Sequence, residues 1–341
     1  MSSERIYLDS VAGQPWLGAS QILPAAAGLG WSLPSGVHFE ASRTRALIDT
    51  SIDSLAKSWG VTPASIVAVH NLGNAFSLAA KSLTGNVRYS PANRIGLIDA
   101  TKSVAPEAKP LTIDESGYLV AGEAADWTVA QAGNHEIGSV DDLGALGGKL
   151  LVDASEWAGR MPRSPGGDVI VTRASSWGGP ASVCFVVFTD REAPVTARER
   201  QRLSPEPTLT ALAVSALEQV GDVGARAALH SAAIAQLASS VQQISGVTVH
   251  GDFDRPRLPH LLSFSVQNFD SEALAIELDR RGFAVGAGSA CLSETRQSSH
   301  VLKAMNVDSS GNIRISLPLQ TTADQVEAFA AAVAPAIAAC S

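Results

Sequence analysis

The sequence predicts an α/β fold in which a mainly parallel sheet is sandwiched by helices, followed by a smaller α+β C-terminal lobe. Three observations carry this expectation. Short β-branched runs alternate with Ala/Leu-rich stretches of helical period up to about residue 244, the signature of strand–helix–strand crossovers. Runs such as Val183-Cys184-Phe185-Val186-Val187-Phe188 are apolar without interruption, which fits strands covered on both faces. From about residue 245 the texture changes to strand-like runs, an amphipathic helix, a small-residue loop and a final helix.

Taken in order, the β-branched and apolar runs at 66–70, 86–89, 95–98, 127–130, 150–152, 169–172 and 183–188 are the candidate strands. Helical patterns cover 41–59, 74–83, 208–220, 225–244, 271–281 and 323–338, where apolar residues recur at three- and four-residue spacing. Residues 247–249 and 261–266 read as strands of the C-terminal lobe, with 225–244 as its connection to the main body. The Pro/Gly-rich piece 162–167 is a surface loop. There is no internal repeat, and the Ala-rich C-terminal run favours helix.

Composition narrows the function. A 341-residue chain exceeds one average domain, and 45% hydrophobic against 17% charged residues supplies a large core. The net charge of −8 and the absence of a basic run argue against nucleic acid as a partner. The densest basic cluster, Arg198 to Arg202, reads as a solvated helix face. No apolar run approaches the ~18 residues that a membrane span requires. Met1-Ser2-Ser3-Glu4-Arg5 lacks a basic-then-apolar export pattern, and three widely spaced cysteines, Cys184, Cys291 and Cys340, read as reduced thiols. A cytoplasmic protein is the expectation.

Five stretches carry chemistry. Val285-Gly286-Ala287-Gly288-Ser289-Ala290-Cys291-Leu292-Ser293 sets one cysteine in a loop of small residues, followed by a helix at 299–305 and the arginine-bearing strand Asn312-Ile313-Arg314-Ile315-Ser316. Upstream stand Asn134-His135-Glu136-Ile137-Gly138, Val152-Asp153-Ala154-Ser155-Glu156 and Thr172-Arg173-Ala174-Ser175-Ser176-Trp177-Gly178-Gly179-Pro180. At the N-terminus comes Ile6-Tyr7-Leu8-Asp9-Ser10. Together they resemble the NifS/IscS-type cysteine desulfurases of the class V aminotransferase superfamily, which are fold-type I pyridoxal-phosphate (PLP) enzymes. The resemblance spans nearly the whole chain. It implies a seven-stranded fold-type I sheet, a large domain over 16–244, and a small domain formed by 1–15 plus 245–341.

What the resemblance implies for individual residues is mixed. Asp153 takes the place of the aspartate that pairs with the pyridine nitrogen. Arg314 takes that of the arginine that clamps a substrate carboxylate with its bidentate fork, with Asn134 beside it. Cys291 corresponds to the sulfur-accepting nucleophile. His135 falls where the family contacts the cofactor ring, and Glu156 replaces a glutamine that donates to the ring oxygen, although a carboxylate cannot donate. Registered on Gly179-Pro180, the cofactor lysine falls on Ser176, its neighbouring histidine on Ser175 and the motif's serine on Arg173, three positions that would lie at the cofactor. A hydroxyl cannot form an imine, because that chemistry needs an amine. The phosphate turn corresponds to His70-Asn71-Leu72-Gly73-Asn74, where Leu72 and Gly73 open a helix but the family threonine is gone, and a stacking histidine falls on Pro91.

Three readings follow. The first is a degenerate family member, acting as partner, scaffold or sulfur relay. The second is an active PLP-dependent desulfurase or aminotransferase with unusual cofactor anchoring. The third is a repurposed pocket that binds a small carboxylate or phosphate through Arg173, Arg314, His135 and Glu156. The resemblance implies a homodimer, with a heterodimer alongside an intact paralogue as the alternative, and no metal.

Overall fold

The computed structural model describes residues 5–120, 122–287 and 299–340. A seven-stranded sheet runs in the order β2 (Ile66–His70), β8 (Val183–Phe188), β7 (Val169–Arg173), β6 (Lys149–Asp153), β5 (Trp127–Gln131), β3 (Val87–Tyr89), β4 (Lys109–Pro110). Strands β7 to β4 pair in parallel, and only β8 is antiparallel to its neighbours. The alternation of β2 shows why both faces are covered. Val67 and Val69 pack with Phe76 and Leu78 of α3 (Asn71–Ala80) and Leu97 of α4 (Ile95–Val104). Ile66 and Ala68 pack on the other side with Leu55 of α2 (Phe39–Trp59) and Ala213 of α6 (Pro207–Glu218). Successive residues on a strand point to opposite faces, so a strand buried on both sides is apolar throughout.

One expected strand is a helix. Residues 95–98 open α4, whose buried residues Leu97, Ala100 and Thr101 recur at helical spacing. A four-residue apolar run satisfies either period, and the longer pattern decides. The seventh strand is instead the two-residue β4, whose Pro110 sits at a sheet edge where a missing N–H costs no ladder bond.

The second sheet has the order β1 (Ile6–Leu8), β11 (Phe283–Ala287), β12 (Ile313–Ser316), β10 (Leu261–Val266), β9 (Val247–His250). β1 lies parallel to β11, so the N-terminal residues join the C-terminal part of the chain. Its core unites Leu8, Phe264 and Ile315 with Leu237 of α7 (Val223–Gln242), Leu278 of α8 (Ser271–Arg280) and Phe329 of α10 (Ala323–Cys340). The 18-residue α10 is long and apolar enough to cross a membrane by length and composition, against the expectation that no run approached that length. Its Val326, Phe329, Val333, Ala336 and Ile337 pack into this core.

Candidate functional site

Adjacent strands of the large sheet end side by side. β5 ends on Gln131, β6 on Asp153 and β7 on Arg173, while the turn after β3 brings Arg94 to the same edge as the residue before α4. In open α/β sheets the crevice beyond the carboxyl ends of the strands is where ligands bind.

Asp153 is almost wholly buried. Its Oδ1 accepts from the Ser155 N–H at 2.9 Å, its Oδ2 accepts from Gln131 Nε2 at 3.2 Å, and Arg94 Nε lies 3.5 Å from Oδ2. Three residues on, Glu156 is equally buried and receives both arginines. Arg94 Nη2 donates to its Oε1 at 2.6 Å, and Arg173 Nη2 donates to the same oxygen. Arg94 Nε is also 3.3 Å from Ser155 Oγ. Burial alone would raise the Glu156 pKa, but Arg173 first, with Arg94 beside it, holds it well below the usual carboxylate range. Burial, then the neighbouring Arg173, pulls Arg94 down, and Glu156 and Asp153 oppose the shift. Two cations and two carboxylates thus form a paired cluster, with the buried Arg160 coupled to Glu156 and Arg173 beside it. Beside it, His260 Nε2 sits 3.5 Å from Glu156 Oε2, too long for a firm hydrogen bond. Burial lowers this imidazole to about 4, so it is neutral.

Ser175 and Ser176 lie in the 3₁₀ turn Ala174–Trp177 that follows β7. Both are buried. Ser176 Oγ shares its proton between the carbonyls of Arg173 at 2.9 Å and Ala158 at 3.1 Å. The Ser176 carbonyl accepts from Arg160 Nε at 2.8 Å and Gln14 Nε2 at 2.9 Å. Gln14 also donates to the Ser175 carbonyl at 2.7 Å and accepts from the Leu319 N–H, tying the turn to both ends of the chain. Among the described residues the Ser175 hydroxyl has no hydrogen-bond partner.

Arg314 lies in β12 opposite Gly286. Its Nη1 donates to Glu136 Oε2 at 3.1 Å and its Nη2 to Asp9 Oδ1 at 3.2 Å, joining the second sheet to the loop after β5. Burial would lower its pKa, yet Glu136 and Asp9 prevail and raise it. Asn134 is consumed locally. Its Nδ2 donates to Ala92 O at 3.0 Å and Gln131 Oε1 at 3.3 Å, while Oδ1 caps the Glu136 and Ile137 amides. His135 Nδ1 lies 3.1 Å from Gln131 Oε1, and its ring stacks on His300 with centroids 6.1 Å apart. Burial, then Arg94 and Arg314, pushes His135 well below the ordinary imidazole value. A neutral ring therefore donates from Nδ1 to Gln131.

The structure brings Asp153, Glu156, Arg173, Ser175, Ser176, His135, Asn134 and Arg314 to one region around the strand ends. Leu72 and Gly73 stand in the first turn of α3, where Leu72 packs on the core and Gly73 is exposed. Cys291 lies outside the described residues. Sequence reasoning missed Arg94, Gln131, Arg160 and His260. Arg94 follows Pro91 by three residues, but a single arginine after a short strand carries no signal until the turn is folded.

These residues do not fit a lysine-anchored pyridoxal phosphate. The side chain at 176 is a hydroxyl bound to backbone carbonyls. All six lysines, at 57, 81, 102, 109, 149 and 303, are exposed. The carboxylate that would face a pyridine nitrogen already lies against Arg94.

Residues 208–329 match the family model described as aminotransferase class-V. The cysteine desulfurase IscS of Vibrio atlanticus is 27% identical over 218 residues, covering 57% of this chain and 53% of that protein. Thus that alignment spans about half of the relative's length. The cysteine desulfurase IscS of Vibrio vulnificus is 24% identical over 87% of this chain and 80% of its own. Among solved structures, a NifS-like protein superposes with a TM-score of 0.84 over 98% of this chain and 99% of that one, at 18% identity. A NifS-like protein from Rickettsia africae gives 0.82 over 98% and 100%, at 17% identity. At these identities the superpositions establish the fold, which is the expected fold-type I architecture.

Proposed function

Starting from the chain's membership of the NifS/IscS-like family, we propose that it has given up lysine-anchored PLP chemistry and acts as a partner, scaffold or sulfur relay. The observation that carries this reading is Ser176, which the sequence resemblance registers on the family's lysine: it is buried, with its hydroxyl bonded to Arg173 O and Ala158 O. The exposure of every lysine supports it. Loss of a covalent catalytic group costs on the order of 10⁴–10⁶ in rate. The buried charges point the same way, because Asp153 and Glu156 are neutralised by the chain's own arginines.

In the relay, the Cys291 thiolate attacks the outer sulfur of a donor protein's persulfide. A new S–S bond forms, the donor thiolate leaves, and no net oxidation occurs. The repurposed anion pocket has less support, since Arg173 is committed to Glu156 and Arg314 to Glu136 and Asp9.

The test supplies the purified chain with cysteine and saturating PLP, and separately with a persulfidated donor protein. The reading expects no alanine or sulfide above the protein-free control. It also expects sulfur to move onto Cys291 and not onto a Cys291→Ser chain. Catalytic release of alanine overturns the degenerate reading, and a persulfide that stays on its donor overturns the relay.

A further inference from the structure

A carboxylate as deeply buried as Asp153 needs a cation or several hydrogen bonds to remain ionised. In this chain the cation comes from within. Arg94 reaches Asp153 at 3.5 Å, Glu156 at 2.6 Å and Ser155 Oγ at 3.3 Å. Its side chain therefore spans the last residue of β6 and the turn that follows it. We propose that Arg94 is an internal plug that supplies Asp153 with the positive charge a bound pyridinium would otherwise bring, and that it closes the site independently of the missing lysine. This rests on the reading above, that the chain does not anchor PLP through a lysine.

The charge count gives the plug a consequence that the lysine alone does not predict. Arg94 and Arg173 balance Asp153 and Glu156. Ser176→Lys by itself adds a cation to a turn whose Ser176 carbonyl already accepts from the buried Arg160 at 2.8 Å. Arg94→Gln combined with Ser176→Lys returns the local charge count to that of the unaltered chain. The pair also removes the positive charge facing Asp153 and the terminal nitrogen on Glu156, and leaves a neutral amide where Arg94 Nε stands near Ser155. Restoring the lysine is therefore insufficient, and removing Arg94 is what opens the site.

The experiment incubates the full chain and its variants with pyridoxal phosphate, reduces with borohydride, and reads intact mass and the labelled peptide. A lysine amine condenses with the aldehyde with loss of water, and hydride then reduces the C=N bond. Expected is labelling of position 176 in the Arg94→Gln/Ser176→Lys chain about tenfold or more above Ser176→Lys alone, with Arg94→Lys/Ser176→Lys remaining low. Equal labelling of Ser176→Lys and the Arg94→Gln pair overturns the plug. If the pair fails to fold by circular dichroism, Arg94→Gln alone reads the same claim through dialysis. About tenfold better retention of pyridoxal phosphate than the unaltered chain supports it, and no gain overturns it. Stoichiometric labelling of the unaltered chain is a distinct outcome: it overturns the reading that the chain lacks lysine-anchored cofactor.

Discussion

Replacing Glu156 by glutamine keeps the shape of the side chain and removes one charge from the buried cluster. Arg94 retains Asp153 at 3.5 Å, but among the described residues Arg173 keeps only the Ser155 carbonyl at 3.4 Å. Two unit charges about 4 Å apart at an effective dielectric of about 20 interact by about 4 kcal/mol. Removing one partner of a buried pair costs about 3–5 kcal/mol, because the survivor is left uncompensated. Glu156→Gln should therefore lower the unfolding free energy by about 4 kcal/mol, a large share of the ~5–15 kcal/mol typical of a folded protein. Urea unfolding followed by the fluorescence of the buried Trp157 and Trp177 measures it. Adding Arg173→Met removes the stranded cation, so the double variant should regain at least half of the loss, a coupling that independent sites do not show. A loss below about 1 kcal/mol, or strictly additive variants, would refute the claim that this network holds the strand ends together. The sequence resemblance registers a glutamine at this position, so a neutral or stabilising Glu156→Gln would favour a conventional cofactor site.

Three further outcomes follow from other parts of the structure. Burial lowers His230 to about 3 and His250 and His260 to about 4, so below the ordinary value of ~6.5 the unfolded chain takes up protons that the folded chain refuses. Their stabilisation is complete above that value and falls by about 1.4 kcal/mol per pH unit per histidine as pH drops toward 4; a melting temperature unchanged between pH ~6.5 and ~5 contradicts this. Burial pushes the Cys184 thiol up to about 12, whereas Cys340 is exposed. A thiol reagent should thus label Cys340 in the native chain and Cys184 only after unfolding, and any fast thiol that remains in a Cys340→Ser chain is assigned to Cys291. Gly311 has φ +57°, and a Cβ there would lie 2.4 Å from the Val266 carbonyl oxygen. Gly311→Ala should cost about 2–4 kcal/mol from backbone strain plus overpacking, and an unchanged urea midpoint would contradict that close approach.

How much of this was legible in the sequence depended on how many residues shared a signal. β8 declares itself through six consecutive apolar residues, and α2 through a 21-residue helical pattern. Residues 95–98 misled because four apolar residues fit a strand as well as the first turn of α4. β4 has two residues and no pattern to read. At the site, Asp153, Ser176 and Arg314 were legible because each sits in a stretch that can be registered against a family. Arg94 and His260 were not, since their roles arise only when the turns after β3 and before β10 are folded against the end of β6. The pairing of Arg173 with Glu156 was equally hidden: the two are 17 residues apart and meet because β6 and β7 are neighbours.

Of all measurements, intact mass after borohydride reduction reaches the central claim with fewest steps. The unaltered chain is held with stoichiometric pyridoxal phosphate, reduced and mapped, alongside a sample unfolded beforehand that reports the background reactivity of surface lysines. The account predicts no lysine in the folded chain labelled above that background. One lysine carrying close to one pyridoxyl group per chain would contradict it, and would identify an amine that reaches the cluster of Asp153, Glu156, Arg94 and Arg173.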